Sequence, residues 1–256
     1  MAATIVAIGC WSISVGDFPI PITEVVRAVF VTASDDAEFI VQTLRLPRIL
    51  TAIMVGAAIS GGIFQSLANN PLASPDIVGF NSGAALGAVF MIVMVDGAGS
   101  LEVSVGAVTG GVITAFLVYV FAYQRGVHGY RLILVGIGIG FAVSAMVDYM
   151  ITRAQIYDAQ RAAVWLTGSL NGRGWEHVRP VGFGLLVLVP IAAVLGRPLR
   201  LPELGPPTAA ALGVRVGRAR LGLVLVGVAL AALAVASAGP IGFVALVSPP
   251  IARRLV

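Results

Sequence analysis

The chain has 256 residues, 58% of them hydrophobic and 11% charged, with a formal net charge of +4. Soluble domains carry about a quarter charged residues, so 28 charged side chains cannot cover this chain in water, and the composition makes it an integral membrane protein. The pI near 9.8 comes from arginines lying between apolar runs, which reflects membrane topology rather than nucleic-acid binding.

In chain order, apolar runs fall near 1–15, 49–65, 77–95, 103–122, 132–151, 180–196 and 221–238, with a short final one near 240–252. Each must be helical, because an open backbone cannot face lipid. A β-barrel would need alternating segments of about ten residues. The expected fold is therefore all-α, a polytopic bundle of about eight transmembrane helices forming one domain, 1–256. The first run lacks a basic leader and a cleavage site before Asp17, so it reads as part of a first transmembrane helix. Cys10, the single cysteine, excludes an intrachain disulfide and reads as a small buried hydrophobe.

The intervening joints are read as bilayer-edge loops, alternating from outside at 16–48 to inside at 66–76 onward. Inside loops then hold Arg125, Arg131, Arg197, Arg200, Arg215, Arg218, Arg220, Arg253 and Arg254 against Asp76 and Glu203, a net +7. Outside loops hold seven arginines and ten acids, a net −3. That bias puts the Arg-rich joints on the cytoplasmic side. Glycines inside the runs, such as Gly106/Gly110 and Gly136/Gly140, suit close helix packing in lipid, or a pathway for a bulky solute.

Four stretches carry unusual joint chemistry. The first is Arg45-Leu-Pro-Arg48, an apolar run to Gln65, then Asn70-Pro71-Leu-Ala73 with Pro75, and Ser82-Gly83-Ala84. The second is Trp165-Leu-Thr-Gly-Ser-Leu170. The third, Leu204-Gly205-Pro206-Pro207-Thr-Ala209-Ala-Ala-Leu212-Gly213-Val214, reads as a short helix: prolines suit a first turn and Gly213 a C-cap. The fourth is Ala238-Gly239-Pro240-Ile-Gly242-Phe243, continuing to Pro249, Ile251, Ala252 and Arg253. There, Gly-Pro inside an apolar run implies a helix break, tolerated only against protein or a water-filled cavity.

These stretches resemble the FecCD-type permease subunits of type II ABC importers, which carry ferric siderophores, haem and cobalamin. Family members typically read R-L-P-R, a helix ending in Gln, N-P-L-A-x-P and S-G-A. Later come W-x-x-G-S-L, L-G-E-E-x-A-x-x-L-G-V and A-G-P-I-G-F-V-G-L-x-x-P-H-I-A-R. Here Pro206 and Pro207 replace the acidic pair, Ala245 replaces a glycine and Pro250 the histidine. The resemblance implies that Arg45 and Arg48 meet acidic residues of an extracytoplasmic solute-binding lipoprotein, permanent forked cations being suited to carboxylates. Anchoring at lipid headgroups is the alternative for both. It implies that residues 204–214 dock on separate ATPase subunits, which hold ATP and magnesium, while this chain binds no cofactor or metal.

The resemblance further implies a second permease copy as homodimer or heterodimer partner, and the bacterial cytoplasmic membrane as location. Because the family has ten helices, the chain reads as incomplete at its C-terminus and clipped at its N-terminus. Ten helices would include packing partners for the Gly239-Pro240 break. The chain holds no lysine, which rules out the phosphate-binding Gly-x-x-x-x-Gly-Lys-Ser/Thr loop. Two other functions remain open at this stage. An intramembrane hydrolase would need Ser82 or Ser169 beside His128 or His177, yet both histidines fall in expected loops. A secondary transporter also uses Gly-broken helices, but needs no docking loop like Leu204–Val214. Asp148, near the outer end of the fifth run, is either a pathway residue or a solvated carboxylate.

Overall fold

The computed structural model describes residues 2–15, 18–30, 35–59, 61–68, 70–71, 73–76, 79–122, 129–196 and 216–255. Among them every regular element is helical. In chain order they are α1 (Ala2–Ser14), α2 (Ile22–Phe30), α3 (Asp35–Phe39), a π-helical turn (Ile40–Arg45), α4 (Leu46–Ala58) and α5 (Gly62–Ala68). There follow α6 (Phe80–Met94), α7 (Ser100–Ala122), α8 (Gly129–Arg153), α9 (Ile156–Leu166), α10 (Trp175–Gly196), α11 (Val216–Ala238) and α12 (Val244–Leu255).

Among the described residues, five stretches are long and apolar enough to cross a membrane: Ala37–Leu67, Ser100–Ala122, Tyr130–Arg153, Trp175–Gly196 and Leu221–Ala238. Thr4–Ser14 and Phe80–Met94 are apolar but shorter. The eighth expected run becomes α12, whose 12 residues reach about 18 Å, short of a hydrocarbon core of about 30 Å. Two expected loops also hold helices. The 16–48 joint contains α2, which turns Val25 and Ala28 into a small core with Ile13, Ile20 and Val41. The joint after α8 contains α9, anchored by the fully buried Ala162.

The interior is built where glycines let backbones touch. A Cβ at Gly87 would sit 2.0 Å from the Gly106 carbonyl oxygen, and one at Gly83 would sit 2.2 Å from Thr114 Oγ1. Thus α6 and α7 form the most intimate helix pair, and Phe80, Ala84, Ala88, Val89, Ala107 and Val118 close the core between them. On the other side of the bundle, α11 packs against α4 and α10 through Val55, Ala58, Leu230 and Ala234.

The register of these contacts corrects one expectation. Gly79 packs against Gly136 and Gly140, the latter near the middle of the 25-residue α8. Gly83 and Gly87 face Gly110, near the middle of the 23-residue α7. So α6 begins about halfway along its neighbours, and its 15 residues, about 22 Å, run only to the α6–α7 turn. The 66–76 joint is therefore no bilayer-edge loop: Ala73, Ser74 and Pro75 are fully buried. An edge loop and a buried loop share the same Asn/Pro/Asp vocabulary, because both must supply their own backbone partners.

Candidate functional site

The buried α5–α6 connection meets the break between α11 and α12, so two motifs some 170 residues apart in the chain form one junction. α11 ends on Gly239, whose positive φ of 77° closes the last turn through its N–H to the Val235 carbonyl, 2.8 Å. Glycine at that position avoids a Cβ clash, and the following Pro240 stops the helix. A Cβ at Gly239 would also lie 2.9 Å from the Trp165 carbonyl, and one at Gly168 2.5 Å from that of Pro240. Ser169 N–H donates to the Ala238 carbonyl, 2.7 Å. The Trp165–Leu170 motif thus seals one side of the break, and the exposed backbone is satisfied by protein.

Four residues on, Phe243 holds a φ of +67°, the only non-glycine at positive φ among the described residues. That left-handed conformation costs roughly 1–2 kcal/mol. The Asp76 carboxylate accepts the Phe243 N–H and the Asn81 side-chain amide. The strained residue and the start of α6 are thereby tied to a single group. The carboxylate also lies at the N-terminal end of α12, where the helix dipole favours negative charge.

Within α12, Pro249 and Pro250 lack the N–H groups that would close onto the Ala245 and Leu246 carbonyls. Gln65, only 3% exposed, supplies one replacement: its Nε2 donates to the Leu246 oxygen at 3.3 Å. Its Oε1 accepts from Arg253 Nη2, also at 3.3 Å. The backbone of Gly61 fits directly over Ala245, where any Cβ would lie 2.0 Å from the carbonyl oxygen. The glutamine that closes the first motif is therefore matched to a proline in the last.

The same logic operates at the opposite end of α4. In the π turn Leu46 N–H bonds Val41 O, a register in which residue 47 would donate to Gln42 O. Residue 47 is proline, and the freed Gln42 oxygen accepts the Trp175 indole N–H at 3.0 Å. A Pro-freed carbonyl is a signal the sequence carries; its distant donor is not.

The individual site residues fall as follows. Arg45 turns back into the fold, Nη1 donating to the Ile13 carbonyl at 2.5 Å and Nη2 to that of Phe18 at 2.7 Å, so it closes the C-terminal end of α1. Arg48 is exposed. Asn70 is half-buried and opens the turn that bonds Ala73 N–H to the Asn70 oxygen, while Pro71 is exposed. Ser82 accepts a hydrogen bond from Ser144 at 3.3 Å and Gly83 lies in the α6–α7 contact. Gly242 is exposed, with nothing within 4 Å of a would-be Cβ. Leu204, Gly205, Pro206, Ala209, Leu212 and Gly213 lie outside the described residues. Asp148 is exposed, and His177 Nε2 sits 3.0 Å from Arg173 Nη1 rather than beside a serine.

The model of the FecCD transport family matches residues 4–256. The ferric enterobactin transport system permease protein FepG of Escherichia coli (strain K12) is 40% identical, over all of this chain and 77% of its own length. The achromobactin transport system permease protein CbrC of Dickeya dadantii (strain 3937) is 39% identical, over 98% of this chain and 73% of its own. Among solved structures, a chain described as a metal-chelate type ABC transporter in an inward-facing conformation superposes with a TM-score of 0.86. It is 28% identical and covers 99% of this chain and 79% of its own length.

Proposed function

The chain belongs to the FecCD transport family and is a multi-pass permease subunit of an ABC importer; from that premise we propose that it moves a ferric siderophore or a similar iron, haem or cobalamin chelate across the bacterial cytoplasmic membrane. The observation that carries the reading is the junction of the α5–α6 connection with the α11–α12 break. Two interrupted helices meeting at mid-depth give a bundle a place to change shape without exposing backbone to lipid.

Transport in this reading is driven by ATP and magnesium on separate ATPase subunits, and this chain is non-catalytic and binds no cofactor. Residues 204–214 dock on those subunits. A second permease copy, homodimeric or heterodimeric, completes the pathway. An extracytoplasmic solute-binding lipoprotein delivers the cargo at the face bearing Arg48. Because Arg45 is occupied by two carbonyls, Arg48 is the residue of the pair free to meet an acidic lobe.

The test is uptake of radioactive iron chelate into proteoliposomes holding the chain with its ATPase and binding protein. ATP-dependent accumulation that stops on omitting the ATPase supports the reading. Accumulation driven by an ion gradient with no ATPase present would make the chain a secondary transporter instead. Charge reversal of Arg48 should lower binding-protein association by about tenfold or less, with a weaker salt dependence.

A further inference from the structure

Where α9 crosses the ends of α6 and α7, a cavity of about 720 Å³ opens, inside the roughly 300–1,000 Å³ range of small-molecule sites. Its wall differs from the rest of the molecule. Tyr157, Gln160, Arg161, Trp165, Asn171 and Arg173 all line it, and no carboxylate among the described residues does. Each arginine is hydrogen-bonded to a backbone carbonyl and has one carboxylate nearby, Asp158 for Arg161 and Glu176 for Arg173. Arg161 Nη2 donates to the Ala98 carbonyl at 2.7 Å, with Asp158 no closer than 3.9 Å. Arg173 Nε donates to the Ser169 carbonyl at 3.1 Å, and its Nη1 lies 3.0 Å from His177 Nε2. Arg161 Nε and Arg173 Nη2 have no partner among the described residues.

Arg173 is half-buried, and that burial disfavours its charged form. The Glu176 carboxylate opposes that effect, but no hydrogen bond joins it to the guanidinium, so an incoming anion would add charge-assisted bonds. Trp165 and Tyr157 add aromatic faces suited to a flat, delocalised ligand.

We propose that this cavity is an anion subsite of the permease, taking the negatively charged, aromatic or carboxylate-bearing face of a ferric chelate. The assignment rests on the chelate-permease reading for its ligand and separates anionic chelates, of catecholate or hydroxycarboxylate type, from neutral hydroxamate ones. An anionic phospholipid headgroup offers the same oxyanion chemistry, and the experiment distinguishes the two.

The full chain is placed in nanodiscs of zwitterionic lipid, and binding of iron-labelled ferric tricatecholate and of a neutral ferric trihydroxamate is measured. Neither ATPase nor binding protein is needed, so failure of ATP-driven uptake would leave this measurement standing. The expected result is salt-sensitive tricatecholate binding that Arg161→Gln with Arg173→Gln weakens about tenfold or more, as befits loss of charge-assisted hydrogen bonds. Trihydroxamate binding should not change. Because both arginines also hold loops, Gln160→Glu is the second variant: Gln160 is exposed, and a carboxylate there should repel the tricatecholate without removing a structural bond. Equal tricatecholate binding by wild type and Gln160→Glu overturns the proposal. So does loss of co-purified phosphatidylglycerol from the arginine variant with chelate affinity intact, which reassigns the cavity to lipid.

Discussion

α10 and α11 are both long and apolar, yet they sit in opposite environments. In α11 61% of the most apolar window is buried, whereas in α10 only 11% is. The sequences differ in size rather than in apolarity. α11 presents Ala231, Ala232, Ala234, Val235 and Ala238 to its neighbours, and α10 turns Phe183, Leu186, Val189 and Val194 outward. In lipid, water does not drive helices together, so close backbone contact decides which helix goes inside. Small residues mark the protein-facing helix, and large ones the lipid-facing helix.

The sharpest test of that rule adds one side chain at the tightest contact. Gly87→Val would place its Cβ 2.0 Å from the Gly106 carbonyl, forcing α6 and α7 apart, and should cost about 3 kcal/mol or more in thermal unfolding in detergent. Gly138→Ala, where nothing lies within 4 Å of the added carbon, should change stability by less than about 0.5 kcal/mol. Equal effects would break the comparison.

Next in size is the junction. Gln65→Leu leaves the Leu246 carbonyl without a donor and should cost about 1–3 kcal/mol. Pro250→Ala restores a backbone N–H four residues from that carbonyl, so the loss should shrink in the double variant. A double-mutant cycle that shows strict additivity would refute the pairing of this proline with this glutamine.

A third prediction concerns Asp76. Asp76→Ala removes the acceptor of the Phe243 N–H and of the Asn81 side-chain amide and should cost about 1–3 kcal/mol in thermal unfolding. Asp76→Asn keeps an oxygen acceptor for the Phe243 N–H and should lose less. Equal losses in the two variants would show that the charge, not the hydrogen bond, holds the junction.

The smallest effect belongs to the lipid face. Leu186→Ala on α10, where Leu186 is 75% exposed, should shift stability by no more than about 0.5 kcal/mol. A loss of 2 kcal/mol or more, of the kind core truncations produce, would mean that this face is covered.

Much of this arrangement is legible in the chain. Apolar run lengths locate the long helices, and Gly239-Pro240 announces a break that must be protected. The motif residues Gln65, Gly83 and Gly239 occupy contacts that demand them. What periodicity cannot convey is depth, so the 66–76 connection reads as an edge loop although it lies buried between α8 and α12. Nor does composition reveal what a charge is bonded to. Arg45 reads as an outward-facing cation, but the carbonyls at the end of α1 hold it, and nothing near Arg45 in sequence announces them. α2 and α9 pass unnoticed because short amphipathic helices bury only a few residues each, too few to stand out against polar neighbours.

The hydrogen bond between Gln65 and Leu246 also has a history in time. Its partners are 181 residues apart, so at roughly 5–20 residues per second a ribosome needs roughly 10–40 s to produce the second after the first. Once Gln65 and Asp76 have left the ribosome, they wait in the bilayer or its insertion machinery while the α12 backbone is not yet made. Membrane insertion of this chain must therefore include a prolonged stage in which a polar segment is sheltered by something other than its final partner.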